Sequence, residues 1–136
     1  MLRSLFISLS KAEWAKEQIM HWDFSWNMAT RFVAGETLES AIQAARALNQ
    51  KGINATLDHL GEFTSNPDEA RQAADDVLAI LDAVQQSGVR ASVSIKLSQM
   101  GLTIDKALCA ENLRRILQAA RTHHNFVRID MEDATT

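Results

Sequence analysis

Apolar positions recur at helical spacing through the N-terminal quarter of the chain. Ser10 and Glu13 form a capping-box pattern that predicts the start of a helix. The apolar positions that follow, among them Trp22 and Trp26, continue this spacing as one broken helix or two. We interpret the tryptophans as packing positions, with contact to a partner or a membrane surface as the alternative. Residues 1–34 are therefore predicted to be an N-terminal helical segment.

Three further helices are predicted by capping residues and apolar faces. Thr37 begins the first of them, and Gly52 follows its C-cap. Residues 66–69 (NPDE) supply a cap, a proline for the first helical position and two acids, and Gly88 ends that helix. Asp105 precedes the third helix. Short polar connections separate these helices from the segments between them.

Three short segments between the helices have the composition of β-strands: residues 53–60, 91–97 and 126–131. The order from residue 53 onward is β-α-β-α-β, which implies parallel strands joined by right-handed helical crossovers. A doubly wound sheet and a (β/α)8 barrel both have this order. The chain is therefore predicted to be an α/β protein.

Polar and apolar positions alternate along the last two strands. The polar positions are Ser92, Ser94, Lys96, Arg128, Asp130 and Glu132. Both faces of a doubly wound sheet are covered by helices and would be apolar, so one polar face favours a barrel whose interior opens into a polar site. A complete barrel needs about 250 residues. Residues 35–136 are thus predicted to be the first part of a (β/α)8 barrel, truncated after the third strand.

Composition narrows the classes of function. Hydrophobic residues make up 46% and charged residues 23%, which is typical of a folded domain. The net charge of -3 offers no basic surface for nucleic acid. The only cysteine, Cys109, lies on an apolar helix face and is predicted to be a core thiol. No apolar run reaches the roughly 18 residues of a transmembrane helix, and we expect a cytoplasmic location.

Candidate chemistry lies at the carboxyl ends of the predicted strands, where barrels of this type form their active sites. Lys96 and Asp130 share the predicted interior face, where a lysine and a carboxylate can bind a small zwitterion or form a structural ion pair. Burial of lysine is costly, which favours a functional role. Asp58 and His59 end the first strand, but no spacing signature supports a metal site made by them with Asp130.

Five segments resemble the monofunctional bacterial proline dehydrogenases in order and separation: RFVAGETLE (31–39), LDHLGE (57–62), VSIKLSQMGL (93–102), ENLRRIL (111–117) and FVRIDMED (126–133). The resemblance implies a (β/α)8 barrel with FAD at the carboxyl ends of the strands. It further implies oxidation of L-proline to Δ1-pyrroline-5-carboxylate, with hydride transfer to the flavin and reoxidation by a membrane quinone. Peripheral contact with the inner membrane surface would follow from that acceptor.

The same resemblance implies a role for three residues. Lys96 matches the lysine that contacts the proline carboxylate, and Asp130 matches a catalytic-site aspartate that orders arginines around the substrate. Met131 matches a position that contacts FAD, through its backbone. The family's other flavin-binding strands and its carboxylate-binding arginine pair follow the third strand. We therefore expect the 136-residue chain alone to hold FAD weakly and not to turn over proline.

Two other interpretations stay open on the sequence alone. A lysine at the end of a barrel strand also suits a Schiff-base aldolase, in which Lys96 would be the nucleophile. The second alternative is a non-catalytic fragment that acts by association. It would associate with a partner, or with a second copy through the open edge of the sheet.

Overall fold

The computed structural model describes residues 37–61 and 64–132. The predicted N-terminal helical segment (1–34), with Ser10, Trp22 and Trp26, lies outside the described residues. Three helices alternate with three strands in the part that is described: α1 (Leu38–Gln50), β1 (Ala55–Asp58), α2 (Pro67–Ser87), β2 (Ala91–Lys96), α3 (Lys106–Thr122) and β3 (Val127–Asp130). The predicted α/β class and element order are confirmed.

Each helix begins at the cap that the sequence predicts. Thr37 and Ser40 exchange side-chain and backbone hydrogen bonds in a capping box before α1. The side chain of Asn66 accepts two backbone N–H groups at the start of α2, and Asp105 accepts one at the start of α3. Gly88 ends α2 in the left-handed conformation, with φ of +66°. An N-cap of this kind stabilises its helix by about 1 kcal/mol.

The strands form one parallel sheet in the order β1-β2-β3. The register places Asp58 opposite Ser94 and Lys96 opposite Asp130. The predicted β1 and β3 were longer than those observed. Each of these strands extends only as far as its backbone hydrogen bonds with β2 continue. The carboxyl ends of all three strands meet at one edge of the sheet, as parallel pairing requires.

All three helices belong to one hydrophobic core against the sheet. Val93 and Ile95 of β2 are fully buried and pack in this core with Leu81 of α2 and Ile116 of α3. Cys109 is also buried there, which confirms the predicted core thiol, and burial raises the pKa of its thiol. In a doubly wound sheet the strand order reverses and helices cover both faces. Here the strands follow one another in a single direction and the helices lie on one face, so the sheet differs from a doubly wound one. None of the described helices is long and apolar enough to cross a membrane.

The connection between β2 and α3 is closely packed. Gly101 has φ of +95°, and a Cβ atom there would lie 3.2 Å from the Cβ of Ala70 and 3.3 Å from the Cδ2 of Leu108. Both the backbone conformation and the space therefore require glycine. The buried side chain of Asn112 donates hydrogen bonds to the carbonyl oxygens of Ala70 and Met100, each at 3.2 Å. The start of α2 and the loop after β2 are thus joined through α3.

Candidate active site

Polar side chains cover the sheet face opposite the hydrophobic core. This polar face consists of Thr56, Asp58, Ser92, Ser94, Lys96, Arg128 and Asp130. Its residues alternate with the core residues because side chains alternate across a strand. The in-register pairing then brings polar side chains of neighbouring strands together. The alternation predicted from the sequence is confirmed for Ser92, Ser94, Lys96, Arg128 and Asp130, which meet on this surface. Glu132, also predicted there, follows the end of β3.

Lys96 and Asp58 form an ion pair at the carboxyl ends of β2 and β1. The Nζ atom of Lys96 lies 3.3 Å from the Oδ2 atom of Asp58. The side chains are 20% and 37% exposed, respectively, so both groups remain accessible to a small ligand. Partial burial also reduces the screening of their charges by salt. The pair therefore presents one cationic and one anionic group side by side.

Asp130 is held by two donors on the same face. The hydroxyl of Ser94 donates to its Oδ2 atom at 2.5 Å, and the Nε–H of Arg128 donates to its Oδ1 atom at 2.7 Å. The Ser94 hydrogen bond is the main cause that lowers the pKa of Asp130, followed by Arg128, while the charge of Lys96 adds a smaller effect. Asp130 is therefore an ionised carboxylate with a fixed orientation at neutral pH.

A Ser94→Ala variant should raise the pKa of Asp130, because it removes the strongest bond to the ionised form. Asp130 contributes stability that is present above its unfolded-state pKa of about 3.9. That stability is lost as the pH falls through the lower folded-state value. The variant should lose less stability than the wild type over this acidic window. Carbon-13 NMR titration of the Asp130 carboxyl group and urea unfolding at several acidic pH values measure both effects.

The matched control is Ser92→Ala, which removes a hydroxyl from the same face of the same strand. Ser92 pairs with the hydroxyl of Thr56 at 3.1 Å and has no bond to a carboxylate among the described residues. This control should leave the pKa of Asp130 unchanged. An equal titration midpoint in the Ser94→Ala variant and the wild type would contradict the role given to the Ser94 hydroxyl.

The turn after β2 connects the ends of all three strands. The backbone N–H of Lys96 donates to Gln99 Oε1 at 3.1 Å, and Gln99 Nε2 donates to the carbonyl oxygen of His59 at 2.9 Å. Gln99 is only 2% exposed. Ser98 donates from its backbone N–H and its hydroxyl to the carboxylate of Glu132. Neither Gln99 nor Ser98 was predicted from the sequence as a site residue, although polar residues directly after a buried strand are a usable signal.

The residues considered for a metal site engage separate partners. Asp58 pairs with Lys96, Asp130 binds Ser94, and the Nε2 atom of His59 lies 3.8 Å from Asp76. No group of three or more His, Cys, Asp or Glu side chains suited to a metal ion occurs in the described ranges.

Comparison with known sequences assigns the chain to a family. The sequence model of the proline dehydrogenase family matches residues 41–136. The chain belongs to this family. A proline dehydrogenase of Deinococcus radiodurans is 46% identical over 113 residues, which cover 81% of this chain and 36% of that protein. Proline dehydrogenase 2 of Bacillus subtilis strain 168 is 34% identical over 131 residues, which cover 96% of this chain and 43% of that protein.

A solved structure supports the fold of this proline dehydrogenase family member. The crystal structure of proline utilization A from Bdellovibrio bacteriovorus inactivated by N-propargylglycine superimposes with a TM-score of 0.72 at 18% sequence identity. The match covers 82% of this chain and 14% of that chain. At this identity the likeness concerns the fold alone. The chain spans less than half the length of these relatives.

The three residues predicted for the proline dehydrogenase site lie together at the carboxyl edge of the sheet. Lys96 and Asp130 are register partners on the polar face. Met131 follows β3 directly, and its side chain is 95% exposed. Their roles toward proline and FAD stay predictions. Asp58 joins them as the ion-pair partner of Lys96.

Proposed function

We propose that the protein functions in proline catabolism as an FAD-dependent proline dehydrogenase that oxidises L-proline to Δ1-pyrroline-5-carboxylate. The supporting observation is a half-buried lysine, Lys96, at the carboxyl ends of parallel strands in a chain of this family. The described residues would form one side of a (β/α)8 barrel, residues 35–136 being its first part. The chain itself spans 36% and 43% of the Deinococcus and Bacillus relatives.

The substrate's carboxylate would bind the ammonium of Lys96. Asp130 would act beside it as a positioning residue, because Ser94 and Arg128 already hold both of its oxygens. A fixed carboxylate next to Lys96 keeps the cationic side chains of the polar face in place. Such preorganisation supports binding because fewer side chains must be ordered when the ligand arrives.

FAD, when bound, would accept the hydride from the proline ring carbon. The exposed position of Met131, directly after Asp130 at the end of the outer strand β3, fits a backbone contact with a flavin. The sequence contains no G-x-G-x-x-G motif, so the phosphates of FAD would be held by other parts of a barrel of this family.

The remaining partners follow from the same proposal. A membrane quinone would reoxidise the flavin, and the protein would then act in the cytoplasm with peripheral contact at the inner membrane surface. Exposed apolar residues lie on α3, directly before β3 and on β3, with Leu117 47%, Phe126 64% and Ile129 44% exposed. They support contact of this region with a further polypeptide segment or a second copy of the chain.

The ion pair at Lys96 also bears on the aldolase alternative. A Schiff base starts from a neutral amine, whereas an ion-paired ammonium suits the binding of a carboxylate. The contact with Asp58 and the opposing position of Asp130 therefore favour substrate binding over covalent catalysis at this lysine.

Titration with L-proline tests the proposed function on the chain as it is. Nitrogen-15 NMR of the labelled protein should show saturable shifts centred on Lys96 and Asp130. Sodium chloride at equal ionic strength controls for non-specific effects of salt, and sedimentation velocity of the same samples establishes whether the chain is monomeric. Shifts that do not saturate, or that spread evenly over the helices, would contradict a proline site on the polar face.

A further inference from the structure

Among the described residues, the carboxylates of Asp58 and Asp130 lie beside Lys96, and they differ in how they are held. Each oxygen of Asp130 accepts a hydrogen bond, one from Ser94 and the other from Arg128. Asp58 contacts only Lys96 within the described ranges, through one oxygen at 3.3 Å. Asp58 is thus the carboxylate that can take a new donor without first losing an existing bond other than that to Lys96.

We infer that Asp58 is a substrate-binding residue that receives the ammonium group of the amino acid while Lys96 receives its carboxylate. This inference rests on the proposed function. The ammonium and carboxylate of an α-amino acid are attached to one carbon, so their receptors must be adjacent and of opposite charge. Lys96 Nζ and Asp58 Oδ2, at 3.3 Å on the accessible polar face, meet both conditions.

The existing ion pair does not prevent this exchange. Its side chains are 20% and 37% exposed, and partly exposed ion pairs contribute little to stability. A zwitterion that inserts between them gives each group a new partner, its carboxylate for Lys96 and its ammonium for Asp58. Both charges of the protein remain compensated when the substrate is bound, which a simple carboxylate or a simple amine cannot achieve.

Asp130 is the less suitable receptor for the ammonium. Its Oδ2 atom accepts from the hydroxyl of Ser94, whose residue is 1% exposed. Turning the carboxylate toward a ligand would leave that buried hydroxyl without its partner, which is unfavourable. The two carboxylates therefore have different roles: Asp130 positions its neighbours, and Asp58 selects for a ligand with an ammonium group.

Three probes separate the two ends of the ligand: L-proline, cyclopentanecarboxylate, which lacks the nitrogen, and L-proline methyl ester, which lacks the carboxylate. Binding to the labelled full chain is measured by NMR titration. Asp58→Asn should weaken L-proline and its ester by roughly tenfold. It should leave cyclopentanecarboxylate unchanged or more tightly bound, because a neighbouring negative charge is removed. Lys96→Met should weaken L-proline and cyclopentanecarboxylate and spare the ester.

The pattern of losses distinguishes the inference from its rivals. If Asp58 only holds Lys96 in place, Asp58→Asn will weaken cyclopentanecarboxylate together with L-proline, and the inference fails. If Lys96→Met abolishes L-proline binding while Asp58→Asn does not, the proposed function survives and the inference fails. A wild-type chain that binds none of the probes overturns both.

Asp75→Asn is the matched control for charge and folding. It breaks a more exposed ion pair, with Arg115 on the helices, and should leave all three affinities unchanged. Circular dichroism and the NMR spectrum confirm that each variant is folded. A loss of L-proline affinity in Asp75→Asn equal to that in Asp58→Asn would count against a specific site.

Discussion

A Lys96→Met variant should bind L-proline about 10- to 100-fold more weakly than the wild-type chain, because a hydrogen bond to a charged group is worth about 1.5–3 kcal/mol. Methionine keeps the length of the side chain and its apolar stem but removes the ammonium that would bind the substrate's carboxylate. The same change leaves Asp58 without its cation, so the polar face would repel an anionic group more strongly. NMR titration with L-proline gives the dissociation constants.

Lys51→Met is the control for the loss of one positive charge. Lys51 is the exposed C-cap of α1 and precedes β1, so it lies toward the amino ends of the strands, away from the candidate site. This variant should bind L-proline as the wild type does. Equal affinities in Lys96→Met and the wild type would remove Lys96 from the site and leave the proposed function without its main support.

Local chemistry explains why the fold was predictable from the sequence. Asn66 and Pro67 define the start of α2, and Gly88 defines its end. The capping hydrogen bonds and backbone angles at these positions depend only on neighbouring residues, so the sequence pattern reveals them. The alternation in β2 likewise fixes which side chains face the helices. Parallel pairing then follows, since crossovers of this length hold a helix. The lengths of β1 and β3 were less predictable because they depend on pairing with β2.

The contacts within the site could not be derived from local patterns. Ser94 and Asp130 are 36 residues apart, and Gln99 binds the carbonyl of a residue 40 positions earlier. Such contacts depend on the register between strands, and a shift by one residue would move every side chain to the other face. The alternation of side chains along each strand predicted that Lys96 and Asp130 share one face. That alternation gave no reason to expect that Asp130 is held by Ser94 and Arg128, or that Asp58 pairs with Lys96.

Charge alternates across the polar face from one strand end to the next. Arg128, Asp130, Lys96 and Asp58 form a series of cation, anion, cation and anion. Every member has an opposite charge beside it, which lowers the cost of keeping four charges on one partly buried surface. Asp58 ends the series at the carboxyl end of β1, and its ion-pair partner among the described residues is Lys96. A zwitterionic ligand can bind at this accessible end, because the charges of the neighbouring side chains already compensate one another.

The series depends on strand ends that keep their relative positions, and Asn112 contributes to this from the opposite side of the sheet. Asn112→Leu should lower the free energy of unfolding by about 2–4 kcal/mol, because two buried carbonyl oxygens lose their donor. Those oxygens belong to Ala70 at the start of α2 and Met100 in the loop after β2. Urea unfolding measures the loss, and Gln118→Leu on the exposed face of α3 should change stability by less than about 0.5 kcal/mol.

Asn112→Asp distinguishes lost hydrogen bonds from a change in packing, because aspartate has nearly the same shape as asparagine. Its carboxylate would face the carbonyl oxygens of Ala70 and Met100, so burial and repulsion should raise the pKa of the new side chain in the folded state. A raised folded-state pKa means that the variant is least impaired below the unfolded-state value of about 3.9. Its deficit relative to the wild type should then grow as the pH rises toward neutrality. A deficit that is independent of pH would show that the two carbonyls do not require the Asn112 donor.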